Sequence, residues 1–370
     1  MPNILYFLKY ISLIKPVPII YNSSFAANFY FTSPRSKQVI QRNVSTNKAN
    51  ITIKGVYTGP TISGNIEAKF GSGSWTTIAS SLSPGAFNLT LYTQSAGVGT
   101  LQVRPAATPT DIALVNSVGI GIVGLIVGQS NNNEIAANYH LPTPGSVIAT
   151  TFNASSFDPP NQLSNWVDTY CKAYFGTLQT SIINSTGLPV GFLCAAQGGT
   201  DIQKWLPSNP LNYYYPTQSD PNTSDYGQGV SLYQRSVNMV SDSGAGAVEF
   251  ILWHQGEQDI TPDGTAQATY QTNLQTIANQ YFNDLIVKLM PCKLQHILQN
   301  DGVTQYDMSP VNTSVANLWS SGTAIATGPD FSSLTANYDT FGYVHLSSDS
   351  NVASVAAGWW NALKAANGYS

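Results

Sequence analysis

Ser130 comes two residues after Gly128, which closes an apolar run from Ile122 to Val127. A serine hydroxyl set just past a buried strand is a candidate nucleophile. It needs a base to take its proton and donors to receive the oxyanion that forms at an attacked carbonyl. An imidazole is the usual base, and the chain has four histidines: His140, His254, His296 and His345. Two further apolar runs end in polar, glycine-containing clusters. Pro189–Ala196 leads to Gly198-Gly199, and Ala247–Trp253 leads to His254-Gln255-Gly256. Gly198 has no side chain to block its N–H, Gln255 carries an amide, and the Ser130 N–H makes a third donor. Each well-aimed donor stabilises such a transition state by roughly 3 kcal/mol. Asn131, Asn132 and Asn133 add further amides beside the serine. An ordinary polar loop after a strand has the same local appearance, so the surrounding elements must decide.

From about residue 119 onward, apolar strand-length runs alternate with stretches of helical periodicity. The helical stretches are Asp168–Ile183, Ser231–Val240, Thr265–Leu289 and Val352–Leu363, and Glu134–Tyr139 has the composition to start another. Leu294–Leu298 and Ala324–Thr327 read as weaker strands. Such alternation predicts a parallel sheet covered by helices, which gathers its strand ends along one edge. The three clusters are then expected to converge. Residues 36–118 differ: Ile51 and Ile53, Ile66 and Ala68, Phe87 and Leu89, and Leu101 and Val103 alternate with polar residues between glycine-rich turns. That pattern predicts a small antiparallel β-sandwich, with Glu67–Trp75 as a hairpin with a glycine-rich tip. Pro105–Asp111 is the expected crossing into a second domain at 119–370, and residues 1–35 are read as an arm or first strands.

Only 9% of the residues are charged, against about 25% in an ordinary domain. Asn, Gln, Ser and Thr must supply the solubility, a surface suited to carbohydrate and to extracellular or virion-associated life. The net charge of −4 provides no basic field, so nucleic acid is not an expected partner. Cys171, Cys194 and Cys292 form no disulfide framework, and the histidines lack metal-ligand spacing. Lys9 and Lys15 interrupt the apolar N-terminal stretch, which is too short to span a membrane and a poor signal peptide.

Gly128-Gln129-Ser130-Asn131, Gly198-Gly199-Thr200-Asp201 with Trp205, and Trp253-His254-Gln255-Gly256-Glu257 with Asp259, followed by a late block around His345, resemble in order the blocks of the SGNH (GDSL-like) hydrolases. The nearest branch is the sialate O-acetylesterase-like, or SASA, group of carbohydrate esterases. The resemblance implies a three-layer α/β/α domain with a mostly parallel sheet, no metal or other cofactor, and a serine esterase acting on an O-acetylated polysaccharide or glycan. It makes Ser130 the nucleophile and His345 the general base. It places the oxyanion hole at Ser130, Gly198 and Gln255. Gln129, Asn131, Thr200, Trp205, His254 and Glu257 are expected to touch substrate or support those groups.

One position departs from the family pattern. The usual aspartate three residues before the histidine is replaced by Gly342, and the nearest upstream acid is Asp339, six residues before His345. Asp339 is the first choice to orient the imidazole; Glu257 or Asp259, or a backbone carbonyl leaving a Ser-His dyad, are the others. A weakened acid also admits a sugar-binding protein on a degenerate hydrolase scaffold, and the fold admits a lipid or small-ester esterase. Trp205 reads equally as core or as a sugar-stacking wall, His254 as a wall of the site, and His296 as structural. His140 reads as a surface loop residue, and Asn212–Pro216 as an aromatic loop.

Overall fold

The computed structural model describes residues 24–132, 149–153, 165–168, 174–209, 231–260, 265–299, 302–321, 324–339, 342–346 and 348–369. His140, Cys171 and the segments 1–23, 134–139 and 212–216 lie outside the described residues, as do the side chains of Asp339 and Tyr343.

Period-two alternation in the first third produces antiparallel strands. Strands β1 (Phe29–Ser33), β3 (Lys48–Tyr57) and β6 (Gly85–Ser95) form one sheet. Strands β4 (Ile62–Phe70), β5 (Thr76–Leu82) and β7 (Gly97–Pro105) pair antiparallel in the order β7-β4-β5. Along β3 the burial alternates residue by residue, with Ile51 and Ile53 inside and Thr52 and Lys54 outside. The two arrays share a core that includes Ile51, Ile53, Ile66, Ala68, Leu91, Leu101 and Val103. The hairpin expected around Glu67–Trp75 is the turn from β4 to β5.

The expected domain boundary falls inside a strand. Strand β8 (Ala113–Gly128) runs for 16 residues without a break. Its N-terminal part alternates and pairs antiparallel with β7, and it also receives the short β2 (Val39–Gln41) in parallel at Gly119–Gly121. From Val118 to Gly128 every residue is buried. There β8 is flanked in parallel by β11 (Val190–Cys194) and β12 (Phe250–His254). Outward from β11 lie β9 (Ala149–Asn153), parallel, and then β10 (Asn165–Asp168), antiparallel; outward from β12 lies β13 (Leu289–Pro291), parallel. The result is a mixed α/β fold around a ten-stranded sheet. Along β8, buried residues up to Ile120 belong to the first core and those from Ile122 to the second, so the change of core occurs within one strand. Each of Ile122, Val123, Leu125, Ile126 and Val127, all fully buried, contributes on the order of 2 kcal/mol by leaving water.

Besides the single turn Phe25–Asn28, the α-helices among the described residues are α1 (Phe175–Thr186), α2 (Leu232–Asp242), α3 (Gln267–Leu285), α4 (Ser309–Ser321) and α5 (Asp349–Asn367). Ser231 and Ser348 cap α2 and α5 by accepting from the N–H groups of Gln234 and Asn351. Helix α1 packs on α5, and α3 packs on α4. The helix expected from Asp168 begins only at Phe175. Residues 165–168 instead form β10, paired antiparallel with β9, with Trp166 buried and donating through Nε1 to the Ser243 carbonyl at 2.9 Å. The strands expected at Leu294–Leu298 and Ala324–Thr327 are reduced to isolated bridges, such as His296 with Thr335 and Leu289 with Ile325. Helix α4, which was not expected, buries Val311, Val315 and Leu318 on one face of a Ser- and Asn-rich segment.

Candidate active site

The register brings the ends of β8, β11, β12 and β13 to one edge, with Ile126 beside Cys194, Gly128 beside His254, and Trp253 beside Pro291. Gly128 has φ of +115°, and a Cβ there would lie 2.1 Å from the His254 carbonyl oxygen. Only glycine allows the two strand ends to meet in this way. The chain then turns, with the Gln129 N–H bonded to the His254 carbonyl at 2.8 Å and Ser130–Asn132 forming one 3-10 turn.

Three amide side chains of this turn point into the protein and hold it. Gln129 Oε1 accepts from the N–H groups of Gly256 and Gln258, both at 3.3 Å. Asn131 Oδ1 accepts from Leu346 N–H at 3.1 Å, while its Nδ2 donates to Glu257 at 2.7 Å and to the Val344 carbonyl at 3.2 Å. Asn132 donates to the Val127 carbonyl and accepts from the Tyr174 hydroxyl, each at 2.7 Å. Gln129, Asn131 and Asn132 are buried, whereas Ser130 between them is partly exposed. These amides thus hold the turn from inside and leave the serine as its one side chain that is not buried.

Ser130 Oγ lies 3.0 Å from His345 Nε2. His345 ends β15 (Gly342–His345), which pairs antiparallel with β14 (Asn337–Asp339), Asn337 opposite His345 and Asp339 opposite Gly342. Asn337 Oδ1 accepts from Ser348 N–H at 3.0 Å and Asn351 Nδ2 at 2.8 Å, fastening this hairpin to the start of α5. Asp339 therefore belongs to the same hairpin as the imidazole. Gly198 stands beside the serine, since a Cβ on it would be 3.5 Å from Ser130 Cβ, and the preceding Gln197 N–H is bonded to the Gly128 carbonyl at 2.8 Å.

Gln255 differs from its expected role. It is fully buried, and its amide N–H groups go to the Thr200 carbonyl at 2.8 Å and to Asp259 at 2.5 Å, with Gln129 Oε1 at 3.4 Å. Both hydrogens of the amide are engaged inside the protein, so it ties the loops together instead of facing an oxyanion. Thr200 donates to the Gln197 carbonyl and accepts from Trp205 Nε1 at 3.2 Å. Trp205 is fully buried edge-on against Trp253, which makes it core and not a sugar-stacking wall. Asp259 accepts from the Ile202 N–H through both oxygens, at 3.2 and 3.1 Å. Burial raises its carboxyl to about 6, although the bonds from Gln255, Thr265 and Ile202 pull the other way.

His254 is also enclosed. Its Nε2 faces Gln295 Oε1 at 3.0 Å and Glu257 Oε1 at 3.2 Å. Burial opposes its protonation, but the Cys292 sulfur and the Glu257 carboxylate hold its pKa well above the ordinary imidazole value. Burial likewise opposes ionisation of Glu257, yet His254 and the Asn131 amide keep its carboxyl below the usual range. Gln295, which no sequence cluster marked, donates to the Val344 carbonyl at 3.2 Å. The available signal was its place just beyond β13, on the same sheet edge as the other clusters. His296 instead lines an open hollow of ≈ 600 Å³ with Lys293, Tyr306 and Asp307. Among the described residues, no group of three or more His, Cys, Asp or Glu has the arrangement to hold a metal ion.

The family model described as SASA, carbohydrate esterase, sialic acid-specific acetylesterase, matches residues 158–355. The chain belongs to this family. The matched span takes in Gly198, Gln255 and His345 and begins after Ser130. No curated protein matches the sequence. Among solved structures, a carbohydrate acetylesterase from Xanthomonas citri is similar with a TM-score of 0.59 at 17% identity, over 89% of this chain and 73% of that one. That likeness establishes a shared fold. More distant matches are a family two carbohydrate esterase from Cellvibrio japonicus (TM-score 0.39, 10% identity, 86% of this chain and 92% of that one) and one from Clostridium thermocellum in complex with cellohexaose (TM-score 0.38, 12% identity, 92% and 98%). Membership in a carbohydrate esterase family implies a glycan substrate.

Proposed function

We propose that this protein is a serine esterase that removes O-acetyl groups from a carbohydrate through an acetyl-enzyme. The carrying observation is the 3.0 Å contact between Ser130 Oγ and His345 Nε2, formed by residues 215 positions apart. Ser130 Oγ attacks the acetyl carbonyl while its proton passes to His345 Nε2. The Ser130 and Gly198 N–H groups receive the oxyanion. Collapse breaks the bond to the sugar oxygen, which takes the proton from His345 and leaves as a free hydroxyl. Water then attacks the acetyl-serine, again with His345 as base, and acetate leaves with Ser130 restored. Asp339, on the strand paired with that of His345, is the acid that orients the imidazole. The two separate helix pairs support the three-layer α/β/α reading, and the shared core of the two antiparallel arrays supports a β-sandwich ahead of it. The low charge and abundant amide and hydroxyl groups support work among polymeric glycans, outside the cell or on a virion.

The test is acetate release from 4-nitrophenyl acetate and from an acetylated polysaccharide by the wild type, Ser130→Ala, His345→Ala and Asp339→Asn. Both Ser130→Ala and His345→Ala should lose at least about 10³-fold in kcat, and Asp339→Asn at least about 100-fold. Full activity in a folded Ser130→Ala would falsify the assignment. Full activity in Asp339→Asn would leave a dyad or another carboxylate in its place.

A further inference from the structure

The residue after the nucleophile grips both residues that flank the base. Asn131 Oδ1 accepts from Leu346 N–H at 3.1 Å, and Asn131 Nδ2 donates to the Val344 carbonyl at 3.2 Å. His345 lies between those two. Because Asn131 is joined directly to Ser130, one amide fixes the backbone on either side of the imidazole to the backbone that carries the hydroxyl. A primary amide can make both bonds in only one orientation, oxygen toward Leu346 and nitrogen toward Val344.

That orientation is itself imposed. Glu257 Oε1 accepts from Asn131 Nδ2 at 2.7 Å, which requires the nitrogen on that side. Gln295 makes a second, parallel connection. Its Nε2 donates to the same Val344 carbonyl at 3.2 Å, and its Oε1 faces His254 Nε2 at 3.0 Å, so His254 sets which end of Gln295 meets the carbonyl. His254 also lies 3.2 Å from the Glu257 carboxylate. Asn131, His254, Glu257 and Gln295 are all buried. In this low-dielectric setting, alternative hydrogen-bond patterns carry a high cost.

We propose that Asn131 is a positioning residue that sets the distance and angle between Ser130 and His345, and that Glu257, with Gln295 and His254, fixes the amide in its working orientation. This rests on the Ser130–His345 reading above. None of the four side chains touches the reacting atoms; they act on the placement of the base.

The test uses the full chain and 4-nitrophenyl acetate, with kcat and KM measured separately between about pH 5 and 9, beside Ser130→Ala and His345→Ala. Asn131→Asp keeps the shape and the acceptor for Leu346 but loses the donor to Val344 and Glu257. It is expected to lose at least 30-fold in kcat with KM within threefold, and its added carboxylate beside the His345 backbone should move the acidic limb of the kcat profile upward. Asn131→Ala should show the same loss of kcat without that shift. Glu257→Gln, equal in volume and able to accept but not to dictate orientation, should lose about tenfold in kcat; it also decides the matter if an Asn131 variant fails to fold. Folded Asn131 and Glu257 variants with kcat within threefold of wild type would overturn the proposal, as would a loss confined to KM. If Ser130→Ala and His345→Ala are inactive in the same experiment, that failure belongs to the positioning role alone; if they are active, the serine esterase reading itself has failed.

Discussion

Asp259 links the loop that follows Gly198 to the loop that follows β12, and its carboxyl is raised from 3.8 to about 6, burial being the largest cause. A carboxyl with a raised folded-state value binds its proton more tightly folded than unfolded. Its contribution to stability is therefore fully present below about pH 3.8 and is lost as the pH rises through about 6. The limiting size of the effect is about 3 kcal/mol, from the difference of those two values at 1.36 kcal/mol per unit. Between about pH 7.5 and about pH 5, the folded protein takes up nearly the whole proton and the unfolded chain almost none, which is a gain of about 1.4 kcal/mol. Asp111 and Glu257, whose values are lowered, work in the opposite direction on acidification, so the wild-type pH dependence alone does not isolate Asp259. The measurement is urea unfolding of the wild type and Asp259→Asn at both pH values. The wild type should gain about 1.4 kcal/mol relative to the variant as the pH falls. Parallel pH dependence in the two proteins would refute the argument.

Two further substitutions probe the frame of the site. Gly128→Ala forces a side chain into positive φ and 2.1 Å from the His254 carbonyl oxygen; calorimetry should show a loss of at least about 3 kcal/mol, beyond the range of an ordinary surface change. Arg42→Met removes a guanidinium bonded at 2.9 Å to Glu249, with the two side chains only 9% and 4% exposed. Because the carboxylate stays buried, denaturant unfolding should show a loss of about 3 kcal/mol, moderated by the bonds Glu249 retains from Gln41 and Tyr369.

The convergence of the strand-end clusters was legible because it depends on residue type and order. An apolar run closed by Gly128 determines where Ser130 emerges, and parallel pairing then brings Gly198 and His254-Gln255 to the same edge. Side-chain direction was not legible. Gln255 has the composition of an oxyanion donor, and only the three-dimensional packing engages its N–H groups with Thr200 and Asp259. Trp205 was ambiguous for the same reason, since an indole serves a core and a sugar equally well. The change near residue 119 was legible because periodicity reports burial: β8 goes from alternating to fully buried at Val118 and its core changes between Ile120 and Ile122, whereas the unbroken backbone through that point leaves no mark on the pattern. Helix α4 was hidden by its Ser and Asn content, even though Val311, Val315 and Leu318 have helical spacing.

The continuity of β8 also governs how this gene could be cut and rejoined. A strand of 16 residues measures roughly 53 Å at about 3.3 Å per residue, and its C-terminal end leads directly into the serine turn. Severing the chain near residue 119 would not release a freestanding catalytic cassette. It would remove β7 from one flank of β8 and β2 from the other at Gly119–Gly121, leaving raw ladder edges of the kind that recruit other strands. An exchange of the N-terminal part must therefore supply a new partner for every one of those pairings.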